Sequence, residues 1–116
     1  MIKDYSKHYS NLTKLMGELG AEMPEVMGGF NTLHEASIKE GVLSSKNKEL
    51  IALGIAITVR CDGCIAFHVH DALSAGASSE EIMETIGVAI LMGGGPALVY
   101  GCQAMEALSQ FVVLER

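Results

Sequence analysis

The run Cys61-Asp62-Gly63-Cys64-Ile65-Ala66-Phe67-His68 sets two thiols three residues apart and an imidazole four residues beyond the second. If this segment opens a helix, Cys61, Cys64 and His68 recur at i, i+3 and i+7 and share one face. A thiol at a helix N-terminus feels the positive end of the macrodipole, which favours thiolate and lowers its pKa from about 8.5. Two such sulfurs can close a disulfide within one turn. His68, with an ordinary pKa of about 6.5, can carry the proton that thiolate formation releases.

Helices must position these groups, because helical punctuation is frequent along the chain and strand signals are nearly absent. Asp4 to Leu19 carries Tyr5, Leu12, Leu15, Met16 and Leu19 at helical spacing and stops at Gly20. Pro24 suits the first turn of a second helix, with Val26, Met27, Phe30 and Leu33 inward and Gly41 as its stop. Ser44 or Ser45 caps a third helix that runs to about Arg60 and, uncharged between Glu49 and Arg60, should be buried on most sides.

The fourth helix begins within the cysteine motif and ends at Gly76. Ser78-Ser79-Glu80-Glu81 opens the fifth with a capping box, and Ile82, Ile86, Ala89 and Ile90 form its inner stripe. Pro96 starts a sixth helix that continues through Tyr100, Met105 and Leu108. Residues 1–116 therefore read as one all-α domain of about six helices. Gly93-Gly94-Gly95 follows a helix and lacks the Lys-Ser/Thr ending of a phosphate loop, so it reads as a close-packed turn.

Composition bounds the partners. A net charge of -6 without a Lys/Arg cluster argues against nucleic acid. A hydrophobic fraction of 49% in 116 residues leaves apolar surface for another subunit, and a homo-oligomer is expected. Thr85 to Met105 is uncharged and nominally long enough to span a bilayer, but Gly93-Gly94-Gly95-Pro96 divides it into halves that are too short, so no membrane partner is expected. Met1 to Leu19 has no signal-peptide pattern, which makes the cytoplasm the default compartment and three cysteines a poor structural disulfide framework.

Thiol pairs at this spacing are familiar in thioredoxin-like proteins, which need a strand leading into the motif; here a buried helix leads into it. Glu49, Cys61, Cys64 and His68 follow the pattern Glu, eleven residues, Cys, two residues, Cys, three residues, His. In this the chain resembles the AhpD-like alkylhydroperoxidase branch of the carboxymuconolactone decarboxylase superfamily, with residues 43–108 as the counterpart of its helical core. The resemblance implies an all-helical trimer or hexamer, the hexamer being commoner for a chain of this length. It also implies a peroxidase that reduces hydroperoxides through a Cys-x-x-Cys disulfide cycle in antioxidant defence, with no cofactor and no metal. By resemblance Cys64 attacks the peroxide, Cys61 resolves the sulfenic acid, Glu49 and His68 relay protons, and a dithiol or protein reductant reopens the disulfide. Peroxidases of the family often carry a histidine between the cysteines, where this chain has Gly63.

Other readings of the same residues stand beside this one. Cys61, Cys64 and His68 could be three zinc ligands, although no second ligand pair stands at suitable spacing. Haem attachment needs His directly after the second Cys, where Ile65 stands. A decarboxylase-like lyase would use acid-base residues without the sulfurs, and a general thiol-disulfide oxidoreductase would use the sulfurs without peroxide specificity. Along a straight third helix Glu49 lies about 18 Å from Cys61. A simple hairpin then leaves it short of His68 unless the helices cross strongly, a water intervenes, or the third helix ends early; the bland role for Glu49 is a first-turn carboxylate favoured by the dipole. His34 and His70 read as surface or packing histidines and Cys102 as core. Tyr100 is either an interface or a pocket residue. Met16, Met23, Met27, Met83, Met92 and Met105 read as gap-filling core.

Overall fold

In the computed structural model, which describes residues 1–115, six α-helices follow one another, with no strand among the described residues. They are α1 (Tyr5–Glu22), α2 (Pro24–Ile38), α3 (Ser45–Thr58), α4 (Asp62–Ser74), α5 (Ser79–Gly93) and α6 (Gly95–Glu115). Local chemistry accounts for the starts. Asp4, Ser44 and Ser78 each accept a backbone N–H of the first turn with a side-chain oxygen, and Ser78 and Glu81 complete a reciprocal capping box. Pro24 opens α2, where its missing N–H leaves nothing unsatisfied.

The core lies where α3, α4, α5 and α6 meet. Leu53, Ile57, Ile65, Val69 and Ile82 are wholly buried there, and α6 fits close against them through Ala97, Ala104 and Ala107. Burial of each large aliphatic side chain contributes about 1.5–3 kcal/mol. Glycine permits the tightest approach: a Cβ built on Gly101 would stand 2.9 Å from Cγ2 of Ile86. Gly101→Ala should therefore lower unfolding stability by about 1–3 kcal/mol through overpacking, as read by chemical denaturation. The chain reverses between α5 and α6 at Gly94, whose φ of 68° lies in the left-handed region that only glycine adopts freely. This break divides the uncharged stretch from Thr85 to Met105, and no helix among the described residues is long and apolar enough to cross a membrane.

Several expectations about burial fail. Only Tyr5 of α1 is buried, whereas Leu15, Met16 and Leu19 are exposed. Helix α2 buries no residue at all, and Phe30 and Leu33, expected inward, are 59% and 61% exposed. Met16, Met23, Met83, Met92 and Met105 also stand outside the core, so the gap-filling role does not hold for them within one chain. Ile51 and Ile55 of α3 are likewise exposed and line an open apolar cavity of about 400 Å³ with Val88 and Met92 of α5. Helical periodicity marks a face that avoids water, and in one chain these faces are uncovered.

Helix α1 is nonetheless tied to the rest. Tyr9 stacks on His70 with ring centroids 4.3 Å apart and packs against Phe67 and Phe111. The segment before α1 is fixed by Gln110, whose side-chain oxygen accepts the Tyr5 amide N–H and whose nitrogen donates to the Lys3 carbonyl. These contacts lay α1 against α4 and the C-terminal half of α6.

Candidate active site

Between α3 and α4 the chain turns through Val59, Arg60 and Cys61. Arg60 holds a φ of 61°, a left-handed conformation typical of the residue just beyond a helix end. The Cys61 amide N–H donates to the Ala56 carbonyl at 3.0 Å, which closes the turn. Cys61 is then the N-cap of α4, and its sulfur accepts the Cys64 amide N–H at 3.2 Å. Both sulfurs therefore sit at the positive end of a helix dipole, where thiolate is favoured over thiol. Cys61 and Cys64 are joined in a disulfide, with their Cα atoms 5.2 Å apart.

The residues between the cysteines are engaged by the N-terminal segment. Lys3 forms an ion pair with Asp62, and Leu12 of α1 approaches Gly63 so closely that a Cβ there would stand 2.9 Å from its Cδ1. A histidine at this position would displace Leu12, which gives a physical reason for Gly63. Nearby, the phenol of Tyr5 is pushed well above its ordinary pKa, first by burial and then by the negative charge of Asp62, with smaller contributions from Glu106 and Tyr100. It stays protonated and donates to Oε1 of Gln103 at 2.9 Å.

His68 lies one helical turn beyond Cys64, and its Nδ1 is 3.4 Å from Oε2 of Glu49. This is the long end of hydrogen-bonding range, as is common before a substrate tightens a site. Of the routes to this contact that the sequence leaves open, the structure has the early end of the third helix. Glu49 lies about 14 Å back along α3 from Thr58, but α4 returns beside α3 and carries His68 about 9 Å in the same direction from Asp62. The remaining difference is within reach of the two side chains, and α3 ends at Thr58 rather than at Arg60. No interposed water is needed.

Among the described residues Glu49 is the one buried charged residue, with 3% of its side chain exposed, and it lies deeper than a first-turn carboxylate needs to. Its Oε1 has no hydrogen-bond partner among the described residues. Burying a carboxylate with one oxygen unsatisfied is costly, so the position calls for an explanation beyond helix capping.

His70 and His34 stand as the sequence indicates, the first packed and the second exposed. His70 packs on Tyr9, and its Nδ1 lies 2.9 Å from Oδ1 of Asp71. His34 is at the surface, as expected, and there it also lines a cavity of about 270 Å³ together with Glu49 and Asp71. Asp71 lies one turn beyond His68 on α4, a relation the sequence displays, but His34 arrives from α2 and no local spacing links it to the others. Cys102, expected in the core, is exposed and free. Tyr100 is half-buried against the core.

The family model for carboxymuconolactone decarboxylases matches residues 24–107, which takes in Glu49, the cysteine pair and His68. The chain belongs to the carboxymuconolactone decarboxylase family. Among solved structures, a carboxymuconolactone decarboxylase family protein from Legionella pneumophila is 42% identical, with a TM-score of 0.89 over 92% of this chain and 96% of the other. A family protein from Thermotoga maritima is 33% identical, with a TM-score of 0.72 over 76% of this chain and 91% of the other. An uncharacterised protein of Haemophilus influenzae is 38% identical over 94% of this chain and 96% of its own length. In this carboxymuconolactone decarboxylase family protein, a disulfide at a helix N-terminus and a Glu–His pair one turn farther along meet on the α3–α4 hairpin.

Proposed function

We propose that the protein is a dithiol peroxidase that reduces hydroperoxides through Cys61 and Cys64. The observation that carries the reading is the Glu49–His68 contact one turn beyond a cysteine pair already closed in a disulfide. A suggested antioxidative role for the Thermotoga maritima relative agrees with it.

In the reduced enzyme His68, oriented by Glu49, accepts the thiol proton of Cys64. The Cys64 thiolate attacks the terminal peroxide oxygen and the O–O bond breaks. Cys64 becomes a sulfenic acid, and the alkoxide leaves with the proton returned by His68 as an alcohol. Cys61 then attacks the Cys64 sulfur, releasing water and forming the disulfide. A dithiol reductant supplies two electrons and two protons to restore both thiols. The test is consumption of an organic hydroperoxide by the purified protein with a small dithiol as reductant. Turnover that requires both cysteines supports the reading. Full activity of the Cys61→Ser/Cys64→Ser variant on a lactone acid would replace it with a lyase.

The working form is a homo-oligomer, a trimer or hexamer. The uncovered apolar faces of α1 and α2 support this, since Val26, Phe30 and Leu33 are too large and too contiguous for a solvated helix. Light scattering should give a mass three or six times that of the chain, and a stable monomer would refute it.

A further inference from the structure

We propose that His34, Glu49 and Asp71 bind a divalent first-row transition cation on the side of Glu49 away from His68. One ligand atom from each of the three residues lies within 4.8 Å of the others. The residues come from α2, α3 and α4 and line a single cavity with Ser45 and Ser74. Two ligands each about 2.1 Å from one ion lie at most about 4.2 Å apart, so a side-chain shift on the order of 1 Å at the exposed His34 closes the site.

The orphaned Oε1 of Glu49 points independently to a ligand. The carboxylate is nearly completely buried, its Oε2 faces His68, and Oε1 has no partner among the described residues. Among the described residues no lysine or arginine lines the cavity, although two carboxylates meet there. A divalent cation would neutralise both and satisfy Oε1. Each carboxylate is also held by a histidine from outside the cluster: Glu49 by His68 and Asp71 by His70. Such outer hydrogen bonds are what orient ligating groups around a metal. One imidazole with two carboxylates suits zinc, manganese or iron better than a thiolate-seeking ion. The cation would fasten α2, which buries no side chain of its own, to the α3–α4 hairpin.

The test keeps Cys61 and Cys64 oxidised, so that sulfur cannot contribute and no peroxidase activity is needed. Calorimetric titration of the disulfide form with zinc alone should show one ion per chain, with slowed amide exchange along α2. His34→Ala and Asp71→Asn, each checked for helical content by circular dichroism, should each weaken zinc by more than about ten-fold. Failure of the oxidised protein to bind zinc, or undiminished binding in either variant, would overturn the site. Neither result bears on whether the cysteine pair reduces peroxide.

Discussion

Cys64→Ser is expected to reduce hydroperoxide turnover to the uncatalysed background and to leave the protein folded. A serine hydroxyl at this position fits the space of the thiol, which packs at the edge of the core beside Ile65 and Ala66. It cannot be held as an oxyanion near neutral pH by a helix dipole, however, and it forms no sulfenic acid. Cys61→Ser should also stop steady-state turnover, but by a different route. The Cys64 sulfenic acid would form and then persist, because its resolving partner is missing. A sulfenic-acid trapping reagent followed by mass spectrometry separates the two variants: label on Cys64 in Cys61→Ser and none in Cys64→Ser. Label on Cys61 in Cys64→Ser would reverse the assignment of attacking and resolving thiols.

The second large effect is expected at Glu49. Glu49→Gln preserves size and the contact with His68 but removes the negative charge that fixes the imidazole as a proton acceptor. General acid–base assistance contributes about 10²–10⁴ in rate, and most of that range should be lost when the pair is disabled. Disulfide formation on prolonged exposure to peroxide should survive, since both sulfurs and the dipole of α4 remain. Single-turnover oxidation of the reduced variant, followed by loss of thiols, measures the effect directly. Stability should change little or rise, because the substitution replaces a buried charge having an orphaned oxygen with a neutral amide. A rate unchanged from that of the parent chain would return Glu49 to a structural role.

The helices were legible in the sequence where a specific residue marks their ends. Ser78, Pro24 and the Ser44-Ser45 pair, of which Ser44 is the cap, mark three starts, because capping is a local interaction between near neighbours. Ends were legible only to within a few residues: α1 passes Gly20 to reach Glu22, and α2 stops at Ile38 short of Gly41. Which faces are buried was harder to read. Ile82 and Ile86 of α5 fall inside as their spacing indicates, while Phe30 and Leu33 of α2, with equally regular spacing, do not. An apolar stripe says that something covers the face and is silent on whether the cover belongs to the same chain.

The candidate site divides in the same way. Cys61, Cys64 and His68 were legible because one helix start contains all three. Contact between Glu49 and His68 depends on the register of two antiparallel helices, and reasoning along α3 alone overestimates their separation. His34 was not legible, since only the docking of α2 brings it to Glu49 and Asp71. Cys102 misled because an apolar helix suggests burial, yet its own side of α6 is open.

Whether Cys61 and Cys64 are a peroxide-reducing pair is decided by counting free thiols in the fully reduced protein, before and after one equivalent of hydrogen peroxide. The chain has three cysteines. Rapid loss of two thiols to a Cys61–Cys64 bond located by mass spectrometry is expected, with Cys102 still reactive and all three recovered by a dithiol. Persistence of the Cys61 and Cys64 thiols through excess peroxide would contradict it.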